Sequence, residues 1–570
     1  MSLLTAPRLL PALAAGALTV VAPPPPATGA RLELLLRPVP GQAGQIGAVD
    51  VTVAGDGIAA DPEHPLARLP LVVNNVDTIA GDVAAEAVDA AGPLHLTARI
   101  EGQGLDAARV WLPDRRVVGR WTLRYRAPIG GRTASRGAAP PIELRADAGA
   151  FSGAGSTFLL LPPESGVAHL AVRWDLSALP KGAAAFSSFG PGDVDLNTLQ
   201  LASRFERSYF MAGAIGYHAS GSFFAAWQGT PPFDAGALMT WTGRLYGHYV
   251  AFFRPPQVQP YGVFLRPNPV NAGGGFGLAG SFIATFGPKT DPEELKLTLA
   301  HEMFHTFAPS IAQPGGLESS WFGEGLAVFY ARNLALRFGQ IRPKAFLDDL
   351  NGTAGRYYTS VMARVPNSEV PARFWADTRI RTLPYDRGAL YFATVDDAMR
   401  KTSEGRRSLD DLMLAMLARE RSGRALSNAD WEDLLRDNLG ERAVADFRAT
   451  LAGREPLPPS DAFGPCFRRT TRPLRRYELG FEPAVLTERH RIVRGLVAGS
   501  AAERAGLRNG DEIMRPVPQD AIQGHQTQIL TLDIRRDDRT APITYLPRGE
   551  TVQAWQWERV PGAPDARCAR

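Results

Sequence analysis

The chain has 570 residues, 45% of them hydrophobic and 21% charged, with a net charge of +4. Such a composition is globular, and the length is too great for one core, so several domains are expected. Only five of the 62 basic residues are lysine, and no Arg/Lys stripe interleaves with aromatics, which argues against a nucleic-acid surface.

In chain order, the N-terminus reads as an export signal. Arg8 precedes the apolar run "LLPALAAGALTVVA" (9–22), which is too short for a comfortable transmembrane span, and small residues before Arg31 suit cleavage. Residues 1–30 are therefore assigned to a signal peptide; an uncleaved anchor at a lipid surface is the alternative. No later segment is apolar enough to cross a bilayer. The excess of arginine over lysine and the abundant alanine fit a GC-rich bacterial genome, so a periplasmic or secreted bacterial protein is expected.

Residues 31–195 are expected to form an N-terminal β domain. "LELLLRPV", "AVDVTVAG", "PLHLTARI", "RWTLRYRAP" and "HLAVRWDLS" are short apolar or alternating runs between Gly/Pro/Asp turns, the pattern of a β-sandwich. From 196 to about 290 the chain mixes aromatic stretches with glycine. "NAGGGFGLAGSFIATFG" (271–287) reads as a glycine-rich turn leading into an exposed strand. It lacks the Lys-Ser/Thr of a phosphate loop and opens no helix.

"DPEELKLTLAHEMFHTFAP" (291–309) is signposted as a helix. Asp291 suits the N-cap, Pro292 the first position, Glu293 and Glu294 the positive end of the dipole, and Pro309 a stop. Further helices are expected at "SWFGEGLAVFYARNLALRF", "YDRGALYFATVDDAMRKT", "SLDDLMLAMLARER", "NADWEDLLRDNL" and "ERAVADFRATL". The catalytic domain is thus placed at 196–455. A Pro/Gly-rich linker is placed at 456–474, and a β-rich module at 475–570 with one short helical piece at "SAAERAGL". The two cysteines, Cys466 and Cys568, bracket this module. In an exported chain two cysteines often pair, with unpaired thiols the alternative.

The chemistry concentrates at "HEMFH". On a helix, positions four apart share a face, so His301 and His305 can both present imidazole nitrogens to one metal. Glu302 projects aside and is placed to act as general base on a metal-activated water. A third ligand is expected from the next helix, where "WFGEGLAVFY" supplies Glu324. Two histidines and a glutamate form an established catalytic Zn2+ set, so one zinc ion is the expected cofactor. An oxyanion donor is also required. Tyr385 is a candidate just before a helix start, with Tyr357, Tyr358 and Tyr391 in competition.

With these residues in view, the sequence resembles the gluzincin peptidases, and in particular the glycyl aminopeptidase family. The resemblance rests on "HEMFH", "WFGEGLAVFY", "LPYDRGALYFATVDDAMR", "EGRRSLDDLMLAML" and a terminal PDZ-like segment, in the family's order. It implies a multidomain α+β chain: an N-terminal β-sandwich-like domain, a thermolysin-like, mainly α-helical catalytic domain and a C-terminal PDZ-like β domain. It also implies that His301, His305 and Glu324 bind zinc and that Glu302 is the base. The related Tyr-x-Lys-Gly pattern falls on Tyr385-Asp386-Arg387-Gly388, which favours Tyr385 as the oxyanion donor, with arginine in place of lysine. One departure is notable. Related aminopeptidases carry a glutamate in a glycine-rich edge strand to bind the substrate's amine, and "GGGFGLAGSF" (273–282) has no acid. Glu318 is a possible substitute.

"YELGFEP" (477–483) resembles a PDZ carboxylate-binding loop with Leu479, Gly480 and Phe481 at its core, and "VRGLVAGSAAERAGLRNGDEIM" resembles the following PDZ strand, helix and turn. Such a loop implies capture of a C-terminal peptide; a structural module packed on the catalytic domain is the alternative. The function expected is an exported zinc metallopeptidase acting on peptides or proteins, as an aminopeptidase, with endopeptidase activity as the alternative. A PDZ binding protein with a vestigial metal site is a more distant reading.

Overall fold

The computed structural model describes residues 29–74, 76–81, 83–130, 140–163, 166–197, 200–268, 272–517 and 519–568. Residues 1–28 of the expected signal peptide lie outside the described residues. The chain forms two compact units that divide between Leu299 and Ala300, so residues 196–299 group with the N-terminal β region.

The first unit is built on a seven-stranded sheet of β1 (Arg31–Pro40), β2 (Ile46–Asp56), β3 (Ala85–Asp89), β4 (Gly92–Leu94), β5 (Trp121–Pro128), β6 (His169–Trp174) and β7 (Val194–Leu196). Its order is β7-β6-β1-β2-β5-β3-β4. Period-two patterning fixes the faces. In β5 Trp121, Leu123, Tyr125 and Ala127 are buried, while Arg124 and Arg126 point outward. The sheet departs from an antiparallel sandwich, because β1 pairs antiparallel with β2 but parallel with β6. A second sheet, built from residues 145–154, 184–191 and 209–213, adds Phe151 and Phe210 to the same core.

A further five-stranded sheet comprises β8 (Ile215–Ser220), β9 (Phe223–Gln228), β10 (Tyr261–Pro267), β11 (Gly275–Leu278) and β12 (Ser281–Phe286), in the order β8-β9-β10-β12-β11. Helix α1 (Ala235–Phe253) connects β9 to the parallel β10. The Asp234 side chain caps it by accepting from the Ala237 N–H at 2.9 Å, and Tyr246 stacks on Tyr261 with ring centroids 5.9 Å apart. Gly236, Gly243 and Gly247 obscure this helix in the sequence. The glycine-rich stretch forms β11, which pairs with β12 alone among the described residues and leaves its other edge open.

Helix α2 (Pro292–His305) carries the chain from the first unit into the second, which is helical through α3 (Ser320–Arg337), α4 (Pro343–Thr359), α5 (Leu383–Thr402), α6 (Leu409–Arg421), α7 (Asn428–Leu439) and α8 (Glu441–Leu451). Ser408 and Ser427 open α6 and α7 with capping boxes completed by Asp411 and Asp430. Helix α4 was not expected; its polar, alanine-poor sequence conceals a buried face of Phe346, Leu350, Ala354 and Tyr357.

The stretch expected as linker, 456–474, ends in a strand. Strand β13 (Phe467–Tyr477) pairs along its length with β18 (Arg548–Arg559). Five arginines mask its pattern; Arg469 lies over the Trp555 ring at 4.8 Å and Arg468 pairs with Glu558. Between these strands β14 (Arg491–Ile492), β15 (Glu512–Ile513), β16 (Leu530–Arg536) and β17 (Arg539–Tyr545) form a small sheet, accompanied by α9 (Gln519–Gly524). Cys466 and Cys568 form a disulfide across 102 residues of sequence, closing the module at its ends.

The loop likened to a PDZ carboxylate site is turned inward. Leu479 and Phe481 are buried in the module's core. The Tyr545 hydroxyl donates to the Leu479 carbonyl at 2.7 Å, and the Val497 N–H donates to the Gly480 carbonyl at 2.8 Å. Residues Pro483–Thr487 form a 3-10 helix directly afterwards.

Candidate metal centre

His301 and His305 stand one turn apart at the end of α2, with ring centroids 4.9 Å apart and rings nearly perpendicular. Their Nε2 atoms are 3.2 Å apart. From α3, Glu324 Oε2 lies 3.0 Å from His301 Nε2 and 3.2 Å from His305 Nε2. Among the described residues this is the one group of three ligating side chains whose donor atoms converge within 4.8 Å. The packing beside it is apolar: buried Phe304, next to His305 on α2, stacks on Tyr330 of α3 at 5.1 Å.

These distances fit a metal. A tetrahedral zinc ion with bonds of about 2.0–2.1 Å keeps its ligand atoms about 3.3 Å apart, and imidazole nitrogen with carboxylate oxygen is its usual donor set. The electrostatics point the same way. Burial opposes charge on His305, but Glu324 and Glu302 overcome it and raise the imidazole to about 9. Burial also opposes charge on Glu324, yet the two histidines hold it well below the usual carboxylate range. The pocket draws positive charge, which a cation supplies better than a proton.

Glu302 is half-buried beside the three candidate ligands. Burial raises its pKa, His301 and His305 restrain the rise, and Glu324 adds to it. Tyr385 lies within the first turn of α5 rather than before it, and its ring stacks on His301 with centroids 5.8 Å apart and planes 15° apart. The competing tyrosines are engaged elsewhere. Tyr357 donates to the Ala363 carbonyl, Tyr358 to that of Pro456, and the Tyr391 hydroxyl accepts from Trp431 Nε1.

The residues after Tyr385 are structural. Asp386 is 2% exposed and accepts from Arg356 Nε at 3.1 Å and Nη2 at 2.7 Å. Arg387, at the lysine position of the related pattern, is buried away from the ligands and donates to Asn367 Oδ1, the Ala363 carbonyl and the Val365 carbonyl. Sequence reasoning missed Asp386 and Arg356. The hint was available in Asp386, an acid at a position where a helix that packs on both sides buries its residue. Glu318 is half-buried in the turn Gly316–Glu318 ahead of α3.

No family model matches the chain, and no curated protein matches it. The fold, however, has a solved counterpart. An aminopeptidase N family protein from Idiomarina loihiensis superposes with a TM-score of 0.60 at 13% identity, over 92% of this chain and 97% of its own. The M1 zinc metallopeptidase from Deinococcus radiodurans aligns with a TM-score of 0.44 at 17% identity, over 75% of this chain and 95% of its own. Leukotriene A4 hydrolase from Saccharomyces cerevisiae aligns with a TM-score of 0.43 at 11% identity, over 75% of this chain and 68% of its own.

Proposed function

We propose that the chain is an exported zinc metallopeptidase that hydrolyses peptide bonds. The observation that carries this reading is the convergence of His301, His305 and Glu324, with Glu302 in the same helical turn and the Tyr385 ring against His301. A zinc ion held by these three side chains would polarise the scissile carbonyl and acidify the attacking water. Glu302 takes that water's proton and returns it to the leaving amine. A carboxylate in open water is a weak base at neutral pH, and burial strengthens Glu302 for the task. The Tyr385 hydroxyl donates to the carbonyl oxygen as charge develops there. Export is supported by the N-terminal apolar run and by the Cys466–Cys568 disulfide.

Removal of single residues from a free N-terminus is the first reading, in line with the family resemblance. Endopeptidase action is the second, favoured by one observation: residues 273–282, which include β11, contain no acid to hold an ammonium group. Matched free and N-acetylated peptides separate the two. Cleavage confined to free peptides supports the aminopeptidase, and cleavage of acetylated peptides overturns it. Wild-type protein that binds no zinc and cleaves neither would refute the peptidase reading and favour the binding-protein alternative.

A further inference from the structure

The C-terminal module grips α4 along its length. Asn351 exchanges two hydrogen bonds with the backbone of Trp557, at 2.8 and 2.7 Å. Arg476 donates to the Thr359 carbonyl at 3.0 Å. Between these points Arg356 lies against Gly524, the last residue of α9; a β-carbon there would stand 3.7 Å from Arg356 Nη1. From this confined position Arg356 holds Asp386 through two hydrogen bonds. A second line runs directly to α5. Gln523 Nε2, also on α9, donates to Thr382 Oγ1 at 3.3 Å, and Thr382 precedes the first residue of α5. Helix α9 is itself fixed: buried Arg548 donates to the carbonyls of Ile522, Gln523 and His525 at its C-terminal end.

Both lines end on neighbours of Tyr385, one three residues before it and one directly after. We propose that the C-terminal module is a positioning element of the catalytic site, setting the Tyr385 ring against His301 through Gln523–Thr382 and Arg356–Asp386. The inference rests on the metallopeptidase reading for its catalytic consequence. An oxyanion donor works only when preorganised, since its contribution falls steeply with misplacement. Arg356, Asp386 and Gln523 are therefore positioning residues that act through the phenol. This also gives the module a role that needs no captured peptide. Its helix α9, rather than walling a groove, is spent on α4 and on the start of α5.

The test is a double-mutant cycle read in kinetics and in tyrosine resonances. Gln523→Ala removes one line, and Arg356→Lys keeps the charge beside Asp386 while losing the paired geometry. Each is expected to lower kcat about 5- to 20-fold with KM within about twofold, the loss a misplaced group produces. In a Tyr385→Phe background the same substitutions are expected to change kcat less than about twofold, because their effect passes through the hydroxyl. Equal losses in both backgrounds would overturn the proposal, as would an unchanged kcat in the Tyr385 background. Independently, 3-fluorotyrosine labelling of the metal-free protein gives a resonance for Tyr385, assigned by its loss in Tyr385→Phe. That resonance is expected to shift in both variants, and an unmoved resonance overturns the proposal. If the wild type cleaves no peptide, the peptidase reading fails, and the fluorine resonance alone decides whether the module positions Tyr385.

Discussion

Gly325 and Gly388 touch. A β-carbon on Gly325 would lie 2.5 Å from the Gly388 α-carbon, and one on Gly388 would lie 2.4 Å from the Trp321 carbonyl oxygen. Helices α3 and α5 thus meet backbone to backbone at the residue after the proposed ligand Glu324 and three residues after Tyr385. Neither helix can yield a side chain's width without moving the site. Gly388→Ala is expected to destabilise the second unit by about 1–3 kcal/mol, as overpacking does. Because Glu324 moves with Gly325, zinc affinity is expected to fall at least about tenfold. Thermal unfolding and zinc competition with a chelator measure the two effects, and an unchanged affinity would mean that the contact is only packing.

Much of this candidate site is legible in the sequence, because the spacing of side chains on a helix is a short-range rule. His301 and His305 follow from helical spacing, and the capping signals at Asp291 and Pro292 place their helix. What is not legible depends on tertiary burial. Helix α4 looks polar in sequence, so its Arg356 had no visible partner until α5 buried Asp386 beside it. Strand β13 hides its alternation under arginines: the Arg469 guanidinium lies over the Trp555 ring, and Arg468 and Arg476 pair with Glu558 and Glu550. The PDZ-like loop shows the same limit from the other side. Its Leu-Gly-Phe pattern is local, but whether a strand edge opens beside it depends on the 3-10 helix at Pro483–Thr487.

Separating the base from the ligands gives a sharp outcome. Glu302→Gln is expected to keep zinc at one ion per chain and to lower kcat by about 10²- to 10⁴-fold, the usual contribution of a general base. Glu324→Ala is expected to lose the metal itself, because two imidazoles alone hold zinc poorly. Metal analysis beside kinetics distinguishes them. Equal activity in Glu302→Gln and wild type would remove Glu302 from its assigned role.

Tyr385→Phe deletes one oxygen and leaves the ring stacked on His301. It is expected to lower kcat about 10²- to 10³-fold, the cost of one oxyanion donor, with KM little changed. Tyr391→Phe serves as the comparison, since its hydroxyl only accepts from Trp431. If both variants lose activity equally, Tyr385 has no special place.

The C-terminal module carries an acid-sensitive pair. Asp511 is buried, and burial disfavours its charge, but Arg536 bonds both its oxygens at 2.6 Å and the Arg508 N–H adds a third bond, so its pKa is lowered. A lowered carboxylate stabilises the fold above its unfolded pKa of 3.8 and loses that contribution as pH falls through the lower folded value. The module is therefore expected to lose stability below about pH 4. Asp511→Asn is expected to lower stability at pH 7 by about 1–3 kcal/mol and to flatten the acid limb of the Tm profile. A Tm profile identical to wild type from pH 3 to 7 would show that the pair contributes nothing.

The Cys466–Cys568 disulfide joins the start of β13 to the end of the module across 102 residues. Closing a loop of that size contributes about 4–5 kcal/mol in the chain-entropy model. The bond holds together the two ends of the segment that contains β13, β18 and α9, and through them the grip on α4. A Cys466→Ser/Cys568→Ser variant is expected to unfold at lower temperature and to be cleaved sooner by an added protease between residues 467 and 568. If the module positions Tyr385, kcat at temperatures below the transition is expected to fall as well, while zinc content stays at one ion per chain. A variant with lowered Tm but wild-type kcat would confine the disulfide to stability, and one with wild-type Tm would show that β13 and β18 hold the module closed unaided.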